Sequence, residues 1–128
     1  MKPAPFDYAV PATLHEAVRL LASDPAAALI AGGQSLMPIL AFRMATPSML
    51  VDLRLLPGLG QIGIDDEGVR LGALVRWRDI ENDRRLVMGH PLLREAVAHV
   101  GHYQIRNRGT VGGSLAHADP AAELPASR

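Results

Sequence analysis

Two pairs of adjacent glycines, well separated along the chain, constrain most strongly what this sequence can fold into. The first pair lies in Ala31-Gly32-Gly33-Gln34-Ser35-Leu36, after a short apolar run at residues 26–31. An apolar run this short before two glycines predicts a buried strand, and the apolar residues after it predict a helix. Because glycine has no Cβ, the backbone N–H groups of such a turn can approach an anion closely. The segment therefore fits either a phosphate-binding turn or a tight strand-to-helix turn without a ligand.

The second pair lies in Thr110-Val111-Gly112-Gly113-Ser114, where hydroxyl side chains flank the glycines, and the carboxylates of Asp119 and Glu123 follow further on. Carboxylates can accept hydrogen bonds from sugar hydroxyls. Two glycine turns with acids downstream suit a ligand that carries a diphosphate at one end and a polyol at the other. Taken singly, each carboxylate is better explained as an exposed charge in a loop.

The same motifs disfavour several other kinds of site. The first segment does not fit the dinucleotide fingerprint G-x-G-x-x-G, and no G-K-[ST] phosphate-binding loop occurs in the chain. Neither Ser35 nor Ser114 is followed by the glycine that completes a G-x-S-x-G nucleophile turn, which argues against a hydrolase that uses either serine. The few histidines near the second motif have no third metal ligand placed by spacing, so we expect no metal site.

Composition excludes further classes of function. Thirteen basic and thirteen acidic residues cancel to a formal charge of +0, which lacks the basic excess of a protein that binds nucleic acid. No apolar run approaches the roughly 20 residues of a membrane span, and the opening residues lack the apolar stretch of a signal peptide, so we expect a cytoplasmic protein. With no cysteine, these residues can form no disulfide, thiolate zinc site or cysteine-ligated iron–sulfur cluster.

The hydrophobic pattern divides into two parts. In the first part it predicts strands at residues 6–10, 26–31 and 50–53 and helices at 14–23 and 36–43, an order typical of a small α/β unit. Thr13 and Glu16 have the spacing of a capping box at the start of the first helix. The break at residues 56–60, which is rich in glycine and proline, predicts a domain boundary.

Beyond this break the pattern changes. Residues 61–64 and 69–71 predict a hairpin, with residues 74–77 as a candidate extension of its sheet, and 78–83 predict a polar helical turn. Apolar residues at helical spacing then predict a helix from Pro91 to Val100, which Gly101 ends. Residues 102–128 show little periodicity, and we expect an irregular segment there.

The motifs AGGQSL and GHYQIRNRGTVGGSLAHADPAAELP, with FDYAVPATLHEAVRLLA and VRLGALVRWRDIE, together resemble one known family. The chain is similar to the FAD-binding medium subunit of the molybdenum hydroxylases, which include aerobic carbon monoxide dehydrogenase and the xanthine dehydrogenase family. The resemblance covers essentially all 128 residues. It implies an α+β class and an FAD-binding fold of the vanillyl-alcohol oxidase or PCMH type. Residues 1–57 would form an N-terminal α/β subdomain and residues 58–128 part of a second, sheet-rich subdomain, with FAD between them.

The resemblance also assigns residues to the cofactor. The first glycine turn would wrap the FAD diphosphate, the second would supply another loop on the diphosphate and ribityl side, and the two acids would hold flavin polyol or ribose hydroxyls. It implies no catalytic residue and no metal ligand in this chain. The FAD-binding residues that it implies are Ala31, Gly32, Gly33, Gln34, Ser35, Leu36, Thr110, Val111, Gly112, Gly113, Ser114, Asp119 and Glu123.

The partners follow from the same resemblance. In this family electrons pass from a molybdopterin-binding large subunit, through iron–sulfur clusters on a small subunit, to FAD and then to an acceptor. The family's medium subunits continue beyond a segment of this length, so we expect an incomplete second subdomain, with open sheet edges that favour self-association. The alternative is a non-catalytic nucleotide-binding or assembly module that keeps the scaffold without the redox function.

Overall fold

The computed structural model describes residues 1–123 of the chain. The chain divides into two compact units, Met1–Gly58 and Leu59–Arg128, and each is described by itself. No helix among the described residues is long and apolar enough to cross a membrane.

The first unit alternates strands and helices. Its elements are β1 (Asp7–Ala9), α1 (Leu14–Ser23), β2 (Ala28–Ile30), α2 (Leu36–Ala41) and β3 (Met49–Asp52). All five were predicted from the hydrophobic pattern, and the structure confirms them to within a few residues at their ends. The strands form a parallel sheet in the order β1-β3-β2, so β3 is the central strand.

The core of this unit lies around the central strand. Leu50 and Val51 of β3 are buried, as are Ala17 of α1 and Leu40 of α2, and α1 packs against β3. The capping box predicted for α1 is present in a shifted form. The Thr13 hydroxyl accepts from the Glu16 N–H at 3.2 Å, while the Glu16 carboxylate accepts from the N–H of Ala12, also at 3.2 Å.

The parallel arrangement places the carboxyl ends of all three strands at one edge of the sheet, which we call the carboxyl edge. The first glycine turn follows β2 at this edge, and β3 ends there at Asp52. In open parallel sheets, ligands bind preferentially outside the carboxyl ends of the strands. The fold therefore positions the predicted phosphate-binding turn where such a ligand is expected.

The second unit combines a hairpin with short helices. The strands β4 (Ile62–Asp65) and β5 (Gly68–Leu71) are antiparallel, as predicted. The core contains Val75, Trp77, Ile80, Leu86, Val97 and Val111. The helices of the described residues are α3 (Trp77–Asn82), α4 (Arg84–Gly89), α5 (Pro91–Ala98), α6 (Tyr103–Arg108) and α7 (Val111–His117). In residues 59–123, the unit for which the resemblance implies a sheet-rich subdomain thus has one two-stranded sheet and five helices.

Two expectations for this unit were wrong, and one helix was not predicted. The segment 102–128, which was expected to be irregular, contains α6 and α7, and its residues 124–128 lie outside the described residues. Residues 74–77 do not extend the hairpin: the Val75 N–H donates to the Gly72 carbonyl at 3.0 Å in a turn, and Trp77 begins α3. The helix α4 was not predicted. The helices α4, α6 and α7 are short, so each has too few apolar positions for a periodic pattern.

A G-x-G-x-x-G pattern does occur in the chain, at residues 58–63, although not at either glycine pair. In a dinucleotide-binding site this pattern follows a strand and opens a helix. Here residues 58–60 form a turn and Ile62 begins β4, so no helix follows the glycines. The structural context that would give this pattern its phosphate-binding meaning is therefore missing.

Candidate functional site

The first glycine turn folds back over the strand that precedes it. Gly33 has a φ of +72°, in the left-handed region that favours glycine. A Cβ placed on Gly33 would lie 3.4 Å from Cδ1 of Ile30 and 3.3 Å from Cγ of Met37. The helix α2 begins immediately afterwards, with the Met37 N–H donating to the Gly33 carbonyl at 3.1 Å. The turn thus covers the Ile30 side chain at the carboxyl edge.

The backbone donors of this turn are unused. The N–H groups of residues 32–36 donate to no acceptor in the part of the chain that the structure describes, and Ser35 provides no side-chain cap to α2. The Gln34 side chain donates to the Gly32 carbonyl at 3.2 Å, which braces the turn from within. A row of free N–H groups at a glycine turn forms a concave site for an anion. The geometry agrees with the phosphate-binding interpretation of this motif.

The second motif is built differently. The N–H groups of Val111 and Gly112 donate to the carbonyls of Val75 and Ala73, each at 2.9 Å. The Gly113 N–H donates to the hydroxyl of Thr110 at 3.2 Å, so that Thr110 caps α7. The Ser114 N–H donates to the Thr110 carbonyl at 3.0 Å as well. These donors stabilise the fold of the second unit and are not free for an anion, in contrast to the first turn.

The two predicted acids follow this helix. After α7 the chain turns at Ala118, which has a φ of +53°, and Asp119 is exposed. One Asp119 carboxylate oxygen accepts from the Ala121 N–H at 2.9 Å. Glu123 is half-buried. The second motif and both acids therefore lie on one short helix and the turn after it, whereas residues 31–36 belong to the other unit.

A polar cluster at the carboxyl edge was not predicted from the sequence. Tyr8 on β1 donates its hydroxyl hydrogen bond to Asp52, and the second carboxylate oxygen of Asp52 accepts from the Arg54 N–H at 2.9 Å. Nε of Arg54 lies 3.5 Å from the Asp52 carboxylate, and its Cζ lies 5.9 Å from the centroid of the Tyr8 ring. We call these three residues the Tyr8–Asp52–Arg54 cluster. The sequence feature that could have indicated this cluster is the acid Asp52 directly after the apolar residues Leu50 and Val51.

The Tyr8–Asp52–Arg54 cluster has a pH-dependent consequence. The hydrogen bond to Asp52, together with burial and the Asp52 charge, raises the pKa of Tyr8, while Arg54 lowers it by less. Because the folded pKa lies above the unfolded value, the stabilisation is fully present below about pH 10 and is lost as pH rises through the folded pKa. We expect Asp52→Asn to lower the pKa of Tyr8.

Tyrosinate absorbance measures this change directly. Tyr8 and Tyr103 are the two tyrosines of the sequence. The titrations with and without Asp52→Asn therefore both use a Tyr103→Phe background, in which Tyr8 is the single tyrosine that titrates. An unchanged midpoint after Asp52→Asn would contradict the assigned contact between the Tyr8 hydroxyl and the Asp52 carboxylate.

The comparisons with known proteins decide the family. The family model described as the FAD binding domain in molybdopterin dehydrogenase matches residues 4–127. The chain belongs to this family. FAD is the cofactor of this FAD-binding domain, and the resemblance drawn from the sequence motifs is confirmed.

Individual relatives of this FAD-binding domain agree with the family assignment. The "6-hydroxypseudooxynicotine dehydrogenase complex subunit alpha" of Paenarthrobacter nicotinovorans is 52% identical over 98% of this chain and 43% of its own length. The carbon monoxide dehydrogenase medium chain of Hydrogenophaga pseudoflava is 39% identical, with 98% of this chain and 44% of its own length covered. The crystal structure of quinoline 2-oxidoreductase from Pseudomonas putida 86 superimposes with a TM-score of 0.94 at 48% identity, over 98% of this chain and 44% of that one. The chain thus spans less than half the length of these relatives.

The first turn fits the cofactor of this family. FAD would bring a diphosphate, and the free N–H groups of residues 32–36 offer donors for its oxygens. In the second unit Ser114 is half-buried, and its hydroxyl makes no hydrogen bond among the described residues. No group of three or more His, Cys, Asp or Glu residues in residues 1–123 is arranged to hold a metal ion.

Proposed function

We propose that this chain is the FAD-binding part of the medium subunit of a molybdenum hydroxylase-type oxidoreductase. The single observation that carries the proposal is the row of free N–H groups at residues 32–36, placed at the carboxyl edge of a parallel sheet in a domain of the FAD-binding family. In the complex, electrons pass from iron–sulfur clusters on a small partner subunit to FAD and then to an acceptor. The substrate is oxidised on a molybdopterin-binding large subunit, and the cytoplasm is the proposed location.

The relatives support this assignment of partners. The names of three of them include "complex subunit", "medium subunit" and "medium chain", which describe components of larger enzymes. The 128 residues contain no cysteine to ligate a cluster of their own. A division of labour in which other chains hold the clusters and the molybdenum is consistent with both observations.

The proposed roles of the residues follow from their surroundings. Residues 32–36 hold the diphosphate through backbone N–H groups, with Ala31 leading the chain from β2 into the turn. Residues 110–114 present the Ser114 hydroxyl from a capped helix, and Asp119 and Glu123 accept hydrogen bonds from ribityl or ribose hydroxyls. The proposed division into subdomains is residues 1–57 and residues 58–128.

In this arrangement the chain binds and orients the cofactor. The flavin, when bound, supplies the electron-transfer chemistry, and the protein supplies orientation and electrostatics. The free N–H groups and the start of α2 direct partial positive charge towards the diphosphate. No residue of this chain is assigned to proton transfer or to a covalent step.

The test is a titration of the purified chain, alone and with its partner subunits, with FAD and with riboflavin. We expect quenched flavin fluorescence and a shifted flavin spectrum with FAD and much weaker binding of riboflavin, which lacks the diphosphate. A folded sample that binds no FAD under either condition would overturn the proposal. Binding of FAD or ADP without electron acceptance from the partners would favour the non-catalytic nucleotide-binding or assembly module.

A further inference from the structure

The Tyr8–Asp52–Arg54 cluster and the first glycine turn share one face of the parallel sheet. Tyr8 is in register with Leu50, and Ile30 is in register with Asp52. Residues in register point to the same side of a parallel sheet, and alternate residues along a strand share a side. Tyr8, Ile30 and Asp52 therefore lie on the same face. Since Gly33 packs over the Ile30 side chain, the turn lies on that face too, next to Asp52 of the cluster, while Tyr8 lies on the other side of β3.

Arg54 is oriented within this cluster with its outer end free. Its Nε faces the Asp52 carboxylate and its guanidinium lies over the Tyr8 ring. Of its side chain, 63% is exposed, so the outer end of the guanidinium is open to solvent. A guanidinium held in this way presents two parallel donors, which match two oxygens of a phosphate.

The nearby acid does not compete for the same ligand. One oxygen of Asp52 accepts from the Arg54 N–H, the other accepts from the Tyr8 hydroxyl, and only 8% of the residue is exposed. Its lone pairs are thus directed into the protein. The carboxylate lies 3.5 Å from Nε of the guanidinium, while the charge of Arg54 extends into solvent.

The other cations of the first unit lie elsewhere. Nε of Arg43 donates to the carbonyl of Lys2 at 3.1 Å, and these residues precede β3 and β1 respectively, so they lie towards the amino ends of the strands. Arg19 is exposed in the middle of α1. Within Met1–Gly58, Arg54 is therefore the side-chain cation at the carboxyl edge, where the free N–H groups also lie.

We propose that Arg54 binds the diphosphate of the dinucleotide together with the first glycine turn, and that Asp52 and Tyr8 are positioning residues for its guanidinium. This inference rests on the proposed function, because the diphosphate is that of FAD. The turn supplies partial positive charges from its amides, and Arg54 supplies a full positive charge that attracts the doubly negative diphosphate. The ligand chemistry recognised by Arg54 is thus the diphosphate and not the flavin ring.

Titrations with FAD, ADP and riboflavin test this role, because ADP has the diphosphate without the ring and riboflavin has the ring without the diphosphate. We expect Arg54→Ala to weaken the affinity for FAD and for ADP about tenfold, as for the loss of a charge-assisted phosphate contact. The affinity for riboflavin should not change. Arg54→Lys, which keeps the charge and loses the fork, should recover part of the loss. The matched control is Arg19→Ala, which removes an exposed arginine from α1 and should bind all three ligands as the unchanged chain does.

Tyr8→Phe separates positioning from a general structural role. It removes the hydroxyl that donates to Asp52 and keeps the ring below the guanidinium. We expect a two- to threefold weaker affinity for ADP in the otherwise unchanged chain, and no further loss in the Arg54→Ala background. A merely structural role would weaken ADP binding equally in both backgrounds and would overturn this part of the inference.

The outcomes distinguish this inference from the proposed function. Equal affinities of Arg54→Ala and the unchanged chain for FAD and ADP would overturn the inference alone. An equal loss for riboflavin would also overturn it, because the effect would not depend on the diphosphate. Failure of the unchanged chain to bind FAD, alone or with its partner subunits, would overturn the proposed function and with it this role of Arg54.

Discussion

Replacing Gly112 by alanine is expected to destabilise the second unit by about 3 kcal/mol, as for an overpacked core without room to relax. A Cβ at this position would lie 2.7 Å from Cβ, 2.8 Å from the carbonyl oxygen and 3.0 Å from Cα of Ala73. Two of these three atoms belong to backbone, which cannot move aside as a flexible side chain can. The hydrogen bonds from Val111 and Gly112 to Val75 and Ala73 would have to lengthen to make room.

The measurement is denaturant unfolding followed by tryptophan fluorescence. Trp77 is the single tryptophan of the sequence and is 3% exposed in the core of this unit, so its emission reports the relevant transition. The control is Gly89→Ala, since Gly89 ends α4 and has no atom within 4 Å of an added Cβ. The control should be neutral or stabilising by up to about 1 kcal/mol. Equal unfolding midpoints for Gly112→Ala and the unchanged chain would show that the Ala73 contact is not tight.

Replacing Gly33 by alanine is expected to weaken FAD binding at least tenfold, which corresponds to about 1.4 kcal/mol. The φ of +72° puts Gly33 in a region that alanine adopts at a cost of roughly 1–2 kcal/mol. The added Cβ would also press on Met37 and Ile30. The turn would relax towards negative φ and turn the N–H groups of residues 32–36 away from a common centre.

Gly58→Ala is the matched control for this experiment. Gly58 has a similar φ of +79°, and no atom lies within 4 Å of an added Cβ. Both variants should lose about 1 kcal/mol of stability in thermal unfolding followed by circular dichroism, whereas only Gly33→Ala should lose FAD affinity. If both variants bind FAD as the unchanged chain does, residues 32–36 are not the diphosphate site.

The first unit could be predicted from the sequence because its signals are local. Thr13 and Glu16 mark the start of α1 within four residues of each other, and the apolar runs around Leu29 and Leu50 are bounded by glycine, proline or charge. The second unit could not be predicted in the same way. The helix α7 contains two adjacent glycines, which are poor helix formers. It is stabilised by the Thr110 cap and by hydrogen bonds to residues 73 and 75, far away in sequence.

The candidate site likewise has parts that the local sequence predicts and parts that depend on contacts between distant residues. The first glycine turn has the free donors that its pattern predicted, since a strand, two glycines and a helix determine each other over a few residues. The second motif has the same glycine pair, yet its donors pair with Thr110 and with carbonyls of a distant segment. The Tyr8–Asp52–Arg54 cluster depends on β1 pairing with β3, a register that no local pattern records.

The bridge between Arg76 and Thr110 has a consequence for how this domain can vary. The Trp77 N–H also donates to the Gly109 carbonyl. Residues 76–77 and 109–110 are therefore held side by side, although more than 30 residues of chain separate them. The two ends of the segment that contains helices α3–α6 are thus hydrogen-bonded to each other. Insertions or deletions between these helices could accumulate during evolution without displacing the Thr110–Ser114 motif, whereas a change of one residue within 73–76 would move it.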